Sequence, residues 1–342
     1  MLIRSYQPDD DADRWDRYVQ MNPDASFFHL SGWESVLRGF FGHQTHYLLA
    51  EQDGRVVGVM PLARVRSPLF GDSLVSTPLC VYGGAVADSP EIGLALTARA
   101  AECARELNVD QLELRHVHRQ GDYPSVDRYV RFRKPIQADP DENMKEIPRK
   151  QRAMIRKAGR RGLQADFDSD TAVFYRLYAE SLRNLGTPVL PRQYFKYLKS
   201  TFGNACEQLT IRSDDGRPVA GVLSFYFRDE VLPYYGGGSS EARSLSANDF
   251  MYWELMCHAA ARGCRMFDFG RSRVGVGSYH FKRHWGFEPE PLSYQYCLVR
   301  ARELPNPSPD NARYRFLINC WKRLPLPVTM WIGPLVSRKL AW

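Results

Sequence analysis

Residues 268–286 read DFGRSRVGVGSYHFKRHWG, and their types bear on one kind of chemistry. Gly270, Gly275 and Gly277 fall within eight residues, and Ser278 and Lys282 follow one helical turn apart. If residues 266–270 end a strand and SYHFKRHWG is a short helix, GRSRVGVG is the loop between them. Such a loop exposes backbone amides that no helical carbonyl satisfies, and the helix dipole adds positive potential there. An anion or a developing oxyanion would be held well. Gly275 and Gly277 let the backbone approach a ligand or adopt positive φ, and Arg271 and Arg273 add fixed charge suited to phosphate. With Ser272 and Ser278 these form the candidate donor-binding set. Lys282 is the candidate for polarising a carbonyl or stabilising a tetrahedral oxyanion. Tyr235 or Asp268, the latter at the strand end, is the candidate for placing an acceptor amine, Asp268 is also the foremost candidate for a general base unless the amine loses its proton to water, and Trp285 joins the substrate-binding residues.

Two further stretches belong with this motif. YYGGGSS at 234–240 lies between a strand and a long helix, so Tyr234 or Tyr235 could offer a hydroxyl to a substrate beside Gly237. Residues 149–162 hold Arg149, Lys150, Arg152, Arg156, Lys157, Arg160 and Arg161 and no acid. Arg149, Arg152, Arg156 and Arg160 share one helical face, which makes Arg152 and Arg156 candidates for a phosphate-bearing substrate. His280 and His284 are one turn apart, but no third ligand accompanies them, and His116 and His118 alternate on one strand; no metal is expected.

The elements that must position these residues follow from pattern. A chain of 342 residues suits two hydrophobic cores better than one. Its 44% hydrophobic and 25% charged residues exclude disordered and fibrous classes. The net charge of +7 mildly favours anionic partners. Seven scattered cysteines without a close pair read as reduced thiols. The N-terminus MLIRSYQPDDDADRW lacks an apolar signal region, so cytoplasmic residence is expected.

The first unit, residues 1–138, opens with a strand and a helix over DADRWDRYVQ. A helix capped by Ser31 and stopped at Gly42 follows, then a hairpin turning at Asp53-Gly54. IGLALTARAAECAREL is helical and DQLELRHVH is a strand. PIQADPDENMKEIP reads as a linker. The second unit, 139–302, holds the basic helix, two more helices, a hairpin turning through Asp214-Asp215-Gly216, the strand EVLPYYGGG and a long helix. After the motif, LSYQYCLVR closes that unit as a strand. Both units therefore read as α/β (α+β). Residues 303–342 form a tail whose apolar stretch, 324–337, is too short and too Pro-broken to span a bilayer. With Trp321, Trp331 and Trp342, the tail reads either as packed on the body or as a peripheral membrane contact over 321–342.

DFGRS and GVGSYHFKRHWGFEP, preceded by RKQRAMIRKAGRRGL and YYGGGS, resemble the FemAB-like branch of the GNAT acyltransferase superfamily, most of all the FemAB-related proteins associated with exosortase (PEP-CTERM) and exopolysaccharide loci. The likeness is strongest over 145–300, while SFFHLSGWESVLRGFFG matches the family's early helix. It implies two tandem GNAT-like domains, each a mixed, mostly antiparallel sheet flanked by helices, with a cleft between them. Well-known members move an amino acid from charged tRNA to the amine of a peptidoglycan precursor, and the lysine of their FK-containing motif maps to Lys282. The long coiled-coil arm of some tRNA-using members is absent. The resemblance therefore implies an N-acyltransferase with no tightly bound cofactor. Its co-substrate would be acyl-CoA or aminoacyl-tRNA, and its acceptor an amine of an envelope or exopolysaccharide precursor, soluble or lipid-linked. The alternatives are a tRNA-dependent aminoacyl transferase and a non-catalytic envelope-assembly module.

Overall fold

Asp53 and Gly54 both adopt positive φ, 52° and 75°. Two such residues in sequence make the tight turn that matches strand twist, and they join Leu48–Gln52 to Arg55–Met60 as an antiparallel hairpin. Gly216, at φ 81°, does the same work between Cys206–Arg212 and Pro218–Phe227. Helix ends are equally local. Ser89 accepts from the Ile92 amide ahead of Pro90–Glu106. Asp170 accepts from Ala172 at the start of Thr171–Leu185, and Gly186 closes that helix at φ 82°. Ser31 differs from expectation: its backbone is helical and its hydroxyl bonds Asp16 at 2.9 Å instead of capping.

The computed structural model describes residues 1–67, 71–167, 170–305 and 312–337, with side chains from 316 in the last segment. The chain separates into two units, one holding Met1–Tyr129 and the strand Ser293–Leu298, the other Val130–Glu290 and the helices beyond residue 311. PIQADPDENMKEIP is no simple linker, since it folds as helix Pro140–Glu146 within the second unit. Ser293–Leu298, read from sequence as the last strand of the second unit, pairs with Gln111–His116 of the first, from Ser293↔His116 to Leu298↔Gln111. Alternation identifies a strand but not its partner, which here lies far back in the chain.

In the first unit one sheet carries Leu2–Ser5, Leu48–Gln52, Arg55–Met60 and Val86–Ala87. A second sheet contains the parallel neighbours Gly71–Val75 and Gln111–His116, linked through helix Pro90–Glu106. Leu74, Leu96, Ala100, Leu112 and Leu114 fill the core between helix and sheet.

The second unit is built on a seven-stranded sheet. Its order is Gln164–Phe167, Cys206–Arg212, Pro218–Phe227, Glu230–Gly238, Met266–Arg273, Tyr129–Pro135 and Pro289–Pro291. Helices Thr171–Leu185 and Ala247–Ala261 both pack on its strands. Ile155, Leu255, Phe267, Phe269 and Trp285 meet in its core. The first unit thus divides its strands between two sheets where one was expected, while the second is a single mixed, mostly antiparallel sheet flanked by helices.

Candidate active site

The site begins with a missing stretch of ladder. Glu230–Gly238 and Met266–Arg273 run parallel, yet only Glu230↔Met266 and Val231↔Phe267 pair. Both strands continue past that point, so the sheet opens into a fork. On one arm the register slips: Ser224 faces Pro233 and Leu223 faces Tyr235, which leaves Tyr234 as the extra residue of a β-bulge. The other arm keeps Tyr129–Pro135 as its strand neighbour, and side chains bind it as well. Asp268 Oδ1 accepts from the Gly270 amide at 2.6 Å. Lys282 Nζ donates to the carbonyls of Gly270 and Arg271 at 3.1 and 3.0 Å.

Lys282 reaches those carbonyls from helix Gly277–His284, which packs on the strand. Only 8% of the side chain is exposed, and Nζ lies 5.5 Å from the Phe132 ring centre. Burial pushes the ammonium down to about 7; Asp268 opposes that shift and Arg271 adds to it. An ammonium has three donors and two are committed to carbonyls. The third is the one a ligand could use.

The junction between strand and helix is open. No side chain caps the helix, whose N-cap is Val276. Val274, Gly275, Gly277 and Ser278 are exposed, and a Cβ placed on Gly275 or Gly277 would have nothing within 4 Å. Gly275 takes φ 81°, whereas Gly277 has an ordinary φ. Arg271 and Arg273 are half-buried at this edge. Ser272 is 4% exposed and its hydroxyl has no hydrogen-bond partner among the described residues.

Other sequence candidates lie elsewhere. Tyr235 is buried, its hydroxyl 2.8 Å from that of Tyr194, within a cluster that includes Tyr178 and Phe195. Burial, reinforced by Tyr194, holds its phenol well above the ordinary value. It packs a helix layer and presents no free hydroxyl to a substrate. Gly237 has a packing cause: a Cβ there would come 2.8 Å from Tyr178 Cα, so glycine lets helix Thr171–Leu185 lie on the strand. Trp285 is fully buried and donates to Asp249 at 3.0 Å, which docks the motif on helix Ala247–Ala261. These burials place Tyr235, Gly237 and Trp285 in the framework, a correction to their reading as contact residues. Tyr234 stays half-buried at the bulge. Arg152 is half-buried and Arg156 exposed on helix Arg149–Arg160, whose inward face is Gln151, Ile155 and Ala158.

Sequence reasoning missed Arg133 and Glu230. Asp268 is 1% exposed. Arg133 binds Glu230 through two contacts at 3.1 and 2.8 Å and lies 3.7 Å from Asp268. Burial and the Asp268 carboxylate raise the Glu230 carboxyl well above the usual range, outweighing Arg133. One guanidinium thus faces two carboxyl groups. Three strands distant in sequence meet here, and no local spacing announces it.

Among the described residues no cluster of three or more His, Cys, Asp or Glu could hold a metal. His116, 2% exposed, accepts from the Ala85 amide at Nε2 and faces Gln295 through Nδ1, and burial lowers it to about 4. It is a neutral structural histidine.

Residues 149–283 match a family model described as an acetyltransferase (GNAT) domain. The chain therefore carries a GNAT acetyltransferase domain, and its class is acyltransferase. No curated protein sequence matches it. Among solved structures, FemX is similar at 16% identity and TM-score 0.66, over 88% of this chain and 98% of that one. A tandem GNAT protein from the clavulanic acid biosynthesis pathway aligns at 13% identity and TM-score 0.56, over 89% and 99%. L-PGS from Bacillus licheniformis aligns at 14% identity and TM-score 0.54, over 92% and 98%. At such identities the likeness is one of fold: two GNAT domains in tandem, as in the FemAB-like branch.

Proposed function

We propose that the protein is an N-acyltransferase whose acyl donor lies in the fork between Glu230–Gly238 and Met266–Arg273. The single observation that carries this reading is the parallel ladder's end after two residue pairs, inside the stretch that matches the GNAT domain. Two strand edges facing a gap favour an extended ligand bearing amide groups, which can hydrogen-bond as a strand would. Acyl-CoA has such an arm, ending in a thioester. Its phosphates would meet Arg271, Arg273 and the uncapped amides at Gly277 and Ser278, with Ser272 beside them.

The remaining N–H of Lys282 would polarise the thioester carbonyl and hold the tetrahedral oxyanion. The acceptor amine attacks that carbonyl, a C–N bond forms, and the thiolate leaves. Asp268 would keep the Gly270 turn and the Lys282 charge in place. The attacking amine would lose its proton to water, since Asp268 is buried and already hydrogen-bonded. The acceptor on this reading is an amine of a cell-envelope or exopolysaccharide precursor, in the cytoplasm or at the inner face of the membrane.

Aminoacyl-tRNA is the second reading for the donor. Helix Arg149–Arg160 favours it, because no carboxylate of the described residues forms an ion pair with Arg149, Lys150, Arg152, Arg156, Lys157 or Arg160. Arg152 and Arg156 would then contact phosphates, and affinity would fall with salt.

The test is titration calorimetry with acetyl-CoA, longer acyl-CoAs and charged tRNA, followed by turnover with amino-sugar acceptors. Binding of an acyl-CoA, weakened by Gly277→Val at the open junction, supports the first reading. Binding of charged tRNA alone selects the second. If no acyl donor binds, the fold serves as a binding module and the enzymatic proposal is lost.

A further inference from the structure

The last two helices of the second unit, Ala312–Arg323 and Leu326–Ser337, face the opposite way from helices whose outer side meets water. In Leu326–Ser337 the inward stripe is Thr329, Gly333 and Ser337. A Cβ on Gly333 would sit 3.0 Å from the Val189 amide nitrogen, so the helix is held tight against that backbone. The inward hydroxyls are satisfied locally, Thr329 on the Leu326 carbonyl at 2.8 Å and Ser337 on that of Pro334 at 3.5 Å. The outward stripe, four residues apart each time, is Pro327, Trp331 and Leu335. Trp331 is 75% exposed and Leu335 63%.

The preceding helix repeats this inversion. Ile318 packs on Gly186, while Phe316 and Leu317 are 68% and 50% exposed. Leu185, next to that glycine, is exposed as well. A helix bounded by water puts such residues inward, and large apolar side chains exposed on two successive helices mark a surface that something covers.

Charge selects the cover. From residue 311 onward the chain has Arg313, Arg315, Lys322, Arg323, Arg338 and Lys339 and no Asp or Glu. Lys322 and Arg323 are exposed in the last turn of the first helix, between the two helices' apolar residues in sequence. A second copy of the chain would bring the same positive charge to the contact and be repelled. No described helix is long and apolar enough to cross a membrane, so contact stays at a surface. We propose that this face seats the protein peripherally on an anionic phospholipid surface. Trp331, Leu335, Phe316 and Leu317 enter the headgroup boundary, and Lys322 and Arg323 meet the lipid phosphates. Trp342, grouped with these tryptophans on sequence, lies outside the described residues. The inference is independent of the acyl-transfer reading, because lipid binding is measured without turnover.

The test is flotation of the full chain with vesicles of phosphatidylcholine alone or mixed equally with phosphatidylglycerol. Binding to the mixed vesicles, weakened by salt, is expected. Trp331→Ser with Leu335→Ser should lower the partition coefficient at least about tenfold, while Trp331→Tyr retains most of it. Lys322→Glu with Arg323→Glu should weaken binding to the mixed vesicles. Melting temperature should be unchanged in all three. Absence of binding to mixed vesicles, or binding indifferent to the Trp331 and Leu335 changes, overturns the proposal. So does a concentration-dependent dimer that the same double variant abolishes, which would assign the face to self-association.

Discussion

Each unit contains a parallel strand pair joined through a helix, and the two pairs end differently. In the first unit Gly71–Val75 and Gln111–His116 pair at Ser73↔Gln111, Leu74↔Leu112 and Val75↔Glu113. The chain then returns over the gap. Ser76 donates to the Glu113 carbonyl and Gly83 to that of Arg115, both at 2.9 Å. The buried Arg115 guanidinium donates to the Cys80 carbonyl, and His116 accepts from Ala85. In the second unit the parallel register ends at Val231↔Phe267, and a lysine from the next helix binds the far arm. One architecture thus serves twice, sealed where it stabilises and open where a ligand could complete it.

The glycines record the same contrast. A Cβ on Gly84 would lie 1.9 Å from His116 Cδ2, and one on Gly83 2.3 Å from the Ser76 carbonyl oxygen. Gly275 and Gly277 meet nothing within 4 Å. The first pair is glycine because the fold leaves no room, whereas the second has room to spare.

Four measurements would break or sharpen this comparison. The largest effect is expected at the open junction: Lys282→Met should lower turnover by about 10²–10³, the scale of losing one oxyanion donor. Turnover within a few-fold of wild type would reduce Lys282 to a strand clamp. At the sealed junction, Gly84→Ala should cost about 3 kcal/mol or more, because the new methyl overlaps His116 at φ 93°. Chemical denaturation measures it, and an unshifted midpoint would mean the seal gives way easily.

Third, Gly277→Ala should leave stability unchanged or slightly higher, by up to about 1 kcal/mol, as alanine favours helix. Donor affinity should nonetheless drop if a phosphate approaches that backbone. Unaltered affinity would move the donor away from the helix end. Last is pH. Lys282 titrates near 7 when folded and near the ordinary 10.5 when unfolded, so between those values the unfolded chain binds more protons. Stability contributed by this group therefore rises with pH across that window. Glu230 acts in the opposite sense: its raised value makes stability fall as pH climbs from the ordinary carboxylate range. Lys282→Met should flatten the alkaline slope alone, and Glu230→Gln the acidic one.

Much of the framework was legible because its signals are local. Asp53-Gly54, the Asp170 and Gly186 helix ends and the strand-loop-helix motif each declare themselves within a few residues. The motif's strand runs to Arg273 and not to Gly270, because sheet pairing carries it past a glycine at φ 65° that reads like a stop. The remainder depended on contacts between distant segments. Nothing near Lys282 in sequence says that its ammonium would be buried on two carbonyls. Tyr235 looked accessible until Tyr194, 41 residues away, took its hydroxyl. Arg133 and Glu230, 97 residues apart, become one group with Asp268 only through strand order.

A sheet that stops zipping halfway leaves two panels, one on each side of the seam that begins after Val231 and Phe267. Any molecule lying along the seam would fasten the panels, slowing hydrogen exchange of amides around residues 232–236 and 268–272 and raising the melting temperature in proportion to the logarithm of its concentration. Occupancy of the site could therefore be followed in this protein before any product is identified.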